Sequence, residues 1–457
     1  MIGAYLTSAS LTAIQARKVE LGYGFSRRSK SFSLLLSRRT SSKWAKVRLV
    51  SHRGSFSGSH IESMHTLFGM NVIRVGQYRL RLSADGNHVT LPFEIIATTP
   101  LAKVTAVTAG GIDGCALSSA ATVACWGYDG EGQLGNGKTI NSSPYGIPTA
   151  TQVRGLKNVA VLSTGLLHTC ALLGGAVKCW GNNRRGQLGD SSNVNSSTPI
   201  AVTGLVNAIL VSAGGFHSCA LLSDGTVDCW GYDRAGQLGN GAATDSSTPV
   251  AVAGLANATS ISAGGYHSCA ILGSGAIDCW GDNEYGQLGN GQVTNSATPV
   301  AVSGITDAVS VSTGSYHTCA VLKAGTVYCW GFNLFGQLGQ EGMTDQSTPQ
   351  MVSGITDAVS VSAGGFHTCV LLRSGSVECW GESSYGQLGN GRFASDSATP
   401  VVVKGIQNAT AVSAGFLHSC ARLRTGTIKC WGSNHVGELG DGTTLNSSIP
   451  VDVSVLK

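Results

Sequence analysis

Residues 211–249 read VSAGGFHSCALLSDGTVDCWGYDRAGQLGNGAATDSSTP, and nearly the same text occurs seven times after residue 102. The copies share a Gly-rich approach, a His-x-Cys step (Asp113-x-Cys115 in the first), a short hairpin, a Cys-Trp-Gly exit and a Gly-Gln-Leu-Gly turn (Gly-Glu-Leu-Gly at 437–440 in the last). The first cysteines are Cys115, Cys170, Cys219, Cys269, Cys319, Cys369 and Cys420, at steps of 55, 49, 50, 50, 50 and 51 residues. In the third copy the residue types predict short strands at Ile209–Ala213, Ser218–Leu222, Thr226–Trp230 and Val250–Val252, separated by Gly-rich or Asp-Gly turns. Such a unit cannot bury its own faces and must stack on its neighbours. Four short strands at a period of about fifty fit the blade of a β-propeller; a leucine-rich solenoid has a shorter period, and the 3.6-residue patterning of helical repeats is absent. An all-β, seven-bladed propeller is expected over 101–457. Gly236 and Gly239 are expected at special backbone angles or close blade contacts. Trp126, Trp180, Trp230, Trp280, Trp330, Trp380 and Trp431 are expected between blades.

All 14 cysteines lie in the repeats, two per copy. In the third copy a three-residue loop with Gly225 in the left-handed region pairs Leu222 with Thr226 and sets Cys219 opposite Cys229. The second copy is one residue shorter between its cysteines. Its Gly174-Gly175 suits a two-residue loop, which again sets Cys170 opposite Cys179. The shortened turn preserves the register, as expected of cysteines that must face each other. The favoured reading is seven cross-strand disulfides: Cys115–Cys125, Cys170–Cys179, Cys219–Cys229, Cys269–Cys279, Cys319–Cys329, Cys369–Cys379 and Cys420–Cys430. Two alternatives remain at this level: reduced structural thiols, or a metal held by His217, Cys219 and Cys229. Against metal, the first copy keeps both cysteines but carries Asp113 in place of the histidine.

Several other motifs have plain structural readings. Gly132 to Thr139 matches a phosphate-loop pattern, but the same turn recurs without the lysine, and no strand-to-helix context surrounds it. His168, His217, His267, His317, His367 and His418 recur at one repeat position, as structural hydrogen bonders do. Asn141, Asn195, Asn257, Asn408 and Asn446 satisfy the Asn-x-Ser/Thr acceptor pattern, which matters only in a eukaryotic secretory route. No catalytic constellation stands out, and enzymatic activity and a cofactor are not expected.

Function is sought where the copies differ. Between Trp-Gly and Gly-Gln-Leu-Gly each copy carries four variable residues, such as Tyr232-Asp233-Arg234-Ala235. Equivalent loops of a closed ring share one face. That face is expected to bind a protein through Tyr128, Arg184, Arg185, Tyr232, Arg234, Tyr285, Phe332, Phe335, Tyr385 and His435, residue types that anchor interfaces. A second variable site precedes the histidine at Phe216, Tyr266, Tyr316, Phe366 and Leu417; binding and packing against the next blade are equally open readings of it.

Charged residues make up 12% of the 457, and their signs are unevenly placed. Residues 1–100 carry a net +10 and residues 101–457 a net −5. The acidic body is therefore a poor holder of nucleic-acid phosphates, and any such contact falls to the basic arm through Arg27, Arg28, Arg38, Arg39, Lys43 and Lys46. Residues 1–71 read as a poorly ordered basic arm. Residues 72–100 read as a β-hairpin about Ala84 to Asn87 plus a linker, the last piece of a β-sandwich. No apolar run spans a bilayer. Paired cysteines imply an oxidising, extracellular or cell-surface location. Residues 1–16 lack the features of a secretory signal, and a misplaced start or an N-terminal truncation would reconcile the two.

Over residues 102–453 the text Gly-x-x-His-x-x-Ala-Leu, Gly-x-Val-x-x-Trp-Gly and Gly-Gln-Leu-Gly resembles the regulator of chromosome condensation repeat family. The resemblance implies that family's seven-bladed propeller. Its eponymous member is a nuclear exchange factor for the small GTPase Ran and binds nucleosomes, but no match to an exchange-active insertion is visible here. The Cys-containing copies are similar to bacterial extracellular members, and a secreted bacterial propeller that inhibits β-lactamase belongs to the same repeat type. The expected function is a non-enzymatic protein-binding propeller with an unidentified partner. The alternatives are a nucleotide-exchange factor for a small GTPase and a carbohydrate-binding propeller using the ring aromatics.

Overall fold

A computed structural model describes the backbone of all residues except 1, 7–9, 13–19, 40–43, 64–75, 85–86, 97, 101–102, 141–145 and 457; side-chain surroundings are described for 34–37, 82–83, 103–140 and 146–454. Among the described residues every regular element is a β-strand. The chain divides into one unit of Met1–Thr99 with Val455–Lys457 and a second of Pro100–Ser454.

In the first unit, Ile2–Leu6, Glu20–Arg39, Gly76–Ala84, Asn87–Ile96 and Ser10–Thr12 lie in that order in one sheet, and Trp44–Ser63 pairs with Glu20–Arg39. The expected hairpin is present, with Leu82 opposite Val89 and Ala84 opposite Asn87. Where composition predicts a poorly ordered arm over 1–71, two strands of 20 residues pair with each other. The Ser- and Arg-rich text conceals a two-residue period. Leu34 and Leu36 face Leu82 and Leu80 across the ladder, and Leu34, Leu36 and Leu82 are fully buried. The arm's basic side chains lie outside the described ones.

The second unit consists of seven four-stranded antiparallel sheets, one per repeat. Blade 3 comprises Ala208–Ala213, His217–Leu222, Val227–Gly231 and Ser246–Ala251, in that order. The second strand, HSCALL, is buried along nearly its whole length because blades cover both of its faces. The fourth strand begins earlier than its residue types predict, before Pro249. A proline lacks the ladder donor, but the outermost strand has a free edge that tolerates it.

The core lies between blades. One cluster joins Cys219, Leu221, Val227, Cys229 and Leu238 of blade 3 to Ile261, Ala270 and Trp280 of blade 4. Another joins Cys420, Ile428, Cys430 and Leu439 of blade 7 to Val104, Val107 and Trp126 of blade 1, so the ring is closed. The seven tryptophans of the repeats are fully buried. Each donates its indole N–H to the turn of the preceding blade: Trp280 Nε1 to Gln237 O at 3.0 Å, and, across the closure, Trp126 Nε1 to Glu438 O at 2.8 Å. Around the axis runs a second circle of backbone hydrogen bonds, from Gly111 N to Gly165 O, Leu166 N to Gly214 O, and onward to Phe416 N to Gly110 O. Seven such bonds of 2.8 to 3.2 Å tie each blade to the next.

Candidate functional site

Each loop between Trp-Gly and Gly-Gln-Leu-Gly is built round its second residue. Asp129, Asn183, Asp233, Asn283, Asn333, Ser383 and Asn434 are buried. Six of them accept the leucine N–H of the turn, as Asn283 Oδ1 does from Leu288 N at 2.9 Å. The turn glutamine accepts from the fourth loop residue, as Gln287 Oε1 does from Tyr285 N at 3.0 Å. Of four positions that vary, one is therefore an internal cap. The signal lay in the residue types, since all seven are short side chains with an acceptor oxygen. Burial pushes Asp129 and Asp233 up to about 6 against the lowering effect of those hydrogen bonds.

Four aromatic residues from the loops of blades 3 to 5, Tyr232, Tyr285, Phe332 and Phe335, meet the rings that precede the histidines at the axial mouth. A funnel of about 250 Å³ opens there, walled in part by Phe216, Tyr266, Tyr316, Phe366 and Phe416. Successive ring centroids along this arc are 5.8, 5.6, 6.4 and 5.4 Å apart. Tyr232 lies 6.4 Å from Phe216 and 6.3 Å from Tyr266. Tyr285 lies 5.6 Å from Tyr316 and 4.8 Å from Phe332, and Phe335 lies 5.3 Å from Phe366. The arc thus joins nine rings from blades 3 to 7. Phe416 was missed in the sequence because blade 7 carries its aromatic residue one position earlier than the others. At the pre-histidine site these rings pack against their neighbours in the next blade, as one of the two readings has it, and they also wall the funnel.

The other expected interface residues are placed differently. Arg185 lies over the Tyr232 ring at 5.2 Å and pairs with Asp245 at 3.4 Å. Arg184 pairs with Glu131 at 3.4 Å, and Arg234 is exposed. Tyr385 meets His435 edge-on at 5.5 Å, and Tyr128 is half-buried. The first loop position also holds residues the sequence reading passed over. Asp282 and Glu382 stand in blades 4 and 6 where blades 3 and 5 carry Tyr232 and Phe332, and only 8% and 9% of their surfaces are exposed. Burial raises both carboxyls above their usual range. Burial, Tyr266, Asp282 and Tyr285 together push the Tyr316 hydroxyl up to about 12.

The cysteines pair as the register predicts, giving Cys115–Cys125, Cys170–Cys179, Cys219–Cys229, Cys269–Cys279, Cys319–Cys329, Cys369–Cys379 and Cys420–Cys430, with Cα separations of 4.0 to 4.1 Å. No free cysteine remains among the described residues, and seven buried bridges belong to an oxidising environment. The histidines bond across blades. Ser268 Oγ donates to Gln237 O, which leaves it to accept from His217 Nε2 at 2.8 Å. Four further histidines make the same contact at 2.8 to 2.9 Å. For His418 the equivalent position in blade 1 is Gly114, which has no hydroxyl. Burial holds His168, His267, His317 and His367 down to about 3, and His217 and His418 to about 4. Among the described residues no group of three His, Cys, Asp or Glu could hold a metal, and no helix is long and apolar enough to cross a membrane.

Comparison with known proteins agrees with this architecture. The chain is similar to human E3 ubiquitin-protein ligase HERC2, 36% identical over 98 residues that cover 21% of this chain and 2% of HERC2. It is 31% identical over 88 residues to the Arabidopsis thaliana mitochondrial RCC1 domain-containing protein RUG3, covering 19% of each. The chain thus matches only a small part of either relative. In structure it is similar to Prp20p from Saccharomyces cerevisiae, with a TM-score of 0.65, 22% identity, and coverage of 78% of this chain and 87% of that one. Human WBSCR16 gives a TM-score of 0.64 at 22% identity, covering 75% and 92%. At this identity the likeness concerns the fold. The family model described as regulator of chromosome condensation (RCC1) repeat matches residues 175–221, 224–271, 274–321, 324–371 and 374–422, more than half of the sequence, and the chain belongs to this family.

Proposed function

We propose that the chain is a non-enzymatic, protein-binding propeller, secreted or held at the cell surface, whose loop face is the contact surface. The observation that carries this reading is the joined arc of nine aromatic rings at the axial mouth, on the face where the repeats differ most. Large amphipathic rings on a rigid scaffold supply contact area at little entropic cost. The seven bridges support the extracellular location. Pull-down from the native environment tests the reading, comparing the native chain with Tyr232→Ala/Tyr285→Ala/Phe335→Ala. The variant is expected to lose the partner. Unchanged capture would remove this face from consideration.

A second reading draws on the fold likeness to Prp20p, whose structure was described together with its binding to Gsp1p and histones. On that reading the chain is an exchange factor for a small GTPase. A nucleotide-release assay over a GTPase panel separates the two, since stimulated release defeats the first.

A further inference from the structure

Blade 1 consists of Val104–Ala109, Asp113–Ser118, Val123–Tyr128 and Gly146–Gln152. Each of the seven sheets is made of four consecutive strands, so blade 7 receives no strand from the start of the ring. At the five junctions from blades 2 and 3 round to blades 6 and 7, a buried relay crosses the interface. A histidine Nε2 donates to a Ser or Thr hydroxyl of the next blade at 2.8 to 2.9 Å. That hydroxyl donates back to the turn carbonyl of the histidine's own blade at 2.9 to 3.3 Å. Blade 1 breaks the relay on both sides. Toward blade 2, Asp113 stands in the histidine's place, and both of its carboxyl oxygens are buried without a hydrogen-bond partner. The Thr169 hydroxyl it fails to reach makes a long bond of 3.4 Å to Gln133 O. Toward blade 7, Gly114 offers His418 no hydroxyl. His418 Nε2 lies beside the Asp113 carbonyl but makes no hydrogen bond of normal geometry. Burial, then Asp129 of the same blade and Glu438 of blade 7, raise the Asp113 carboxyl well above its usual range. Buried polar groups without partners weaken an interface relative to one whose relay is complete. The apolar contacts, indole bonds and axial backbone bonds persist at both junctions of blade 1, so the ring closes there with less to hold it.

We propose that blade 1 is the movable segment of the ring, and that both of its junctions open before any of the other five. Its own bridge, Cys115–Cys125, keeps it a folded blade while it moves as a unit. Residues 153–160 still tether it to blade 2, and the pairing of Thr98–Pro100 with Ser454–Leu456 holds the two ends of the ring's chain together, so the movement is hinged. The aromatic arc draws its rings from blades 3 to 7, whereas blades 1 and 2 wall the funnel with Ala109, Gly110, Gly111, Thr164, Gly165 and Leu166. An opening there widens the funnel in the sector without rings and leaves the arc intact. The movement does not depend on which partner the loop face takes.

Each junction carries its own reporter, because each of the seven indole N–H groups crosses one interface. Trp126 bonds from blade 1 to blade 7, Trp180 from blade 2 to blade 1, and Trp230, Trp280, Trp330, Trp380 and Trp431 span the other five. Hydrogen–deuterium exchange of these indoles in the full oxidised chain, followed by NMR with labelled tryptophan, reads the opening of each junction. Trp126 and Trp180 are expected to exchange at least about 10-fold faster than the other five. Asp113→His completes the relay toward Thr169 and is expected to slow Trp180 to the rate of the other five while leaving Trp330 unchanged. Ser268→Ala gives the junction of blades 3 and 4 the defect of that between blades 7 and 1, and is expected to speed Trp280 about 10-fold. If Asp113→His does not fold, Ser268→Ala still decides. Seven rates equal within about twofold, another junction opening faster than those of blade 1, a folded Asp113→His that leaves Trp180 fast, or a Trp280 unmoved by Ser268→Ala would overturn the movable blade.

Discussion

Gly264 shows how much of this ring is decided by single atoms. Its φ is ordinary, but a Cβ there would lie 2.5 Å from Gly314 O and 2.9 Å from Thr313 Cβ. The neighbouring blade's carbonyl occupies the place of a side chain, which is why the glycine of Ser-Ala-Gly recurs in the copies. Gly264→Ala is therefore expected to cost about 1–3 kcal/mol, the usual range for overpacking. Gly273 is the control, with an ordinary φ and nothing nearer than 3.7 Å, so Gly273→Ala is expected to be neutral or slightly stabilising. Thermal or denaturant unfolding of the two variants distinguishes them. Gly239 combines both demands, with φ at +69° and Trp280 Cδ1 2.7 Å from where a Cβ would be. The sequence marked these glycines as special; which carbonyl or indole required each one was not legible, because the contact belongs to the next repeat.

At the scale of the element, the central hairpin was the most legible part of the chain. Gly225 N donates to Leu222 O at 3.0 Å, Gly225 has φ of +83°, and Cys219 sits opposite Cys229. In blade 2, Gly174 and Gly175 both have positive φ, Leu173 pairs with Ala176, and Cys170 sits opposite Cys179. Register within a hairpin follows from loop length alone, so counting sufficed. Each bridge closes a short loop, and Cys269→Ala/Cys279→Ala is expected to lose about 2–3 kcal/mol on the chain-entropy account. Thiol titration of the native, unreduced protein is expected to find none of the 14 cysteines reactive, and denaturation with reductant to release them. Native reactivity of all of them would contradict the pairing. The outer strand was less legible, because the proline that reads as a breaker in one strand is harmless on a free edge.

For the whole molecule, the inter-blade histidines make stability depend on pH. Their folded values of about 3 to 4 lie below the ordinary 6.5. Below pH 6.5 the unfolded chain takes up protons that the folded ring refuses, so stability falls with decreasing pH until about pH 3–4. Asp129 and Asp233, raised to about 6, act in the opposite sense: they favour the folded state at low pH, and that contribution fades as pH rises through 6. Asp113, Asp228, Asp278, Asp282, Glu378, Glu382 and Glu438 are raised by burial as well and act in the same sense as Asp129 and Asp233, so the histidine share between pH 6.5 and 4 is read by comparing a histidine variant with the native chain. Denaturant midpoints at pH 7, 5.5 and 4.5 measure it, and His217→Gln is expected to flatten the slope. A His217→Gln variant whose stability changes on acidification by the same amount as the native chain's would contradict the buried, neutral state of that ring.

The sequence by itself determined the number of blades, the hairpin register, the disulfide pairing and the face on which the variable loops lie. All of these follow from repetition and from interactions within about ten residues. Only the tertiary structure decided which variable residues are free. Asp233 and Asn283 vary in text but are buried caps, while Phe216, Phe335 and Phe416, from different blades, become one arc of rings. Closure brings residues fifty to three hundred positions apart into contact across blade interfaces, and no count along the chain can say which of them will share the mouth of the funnel.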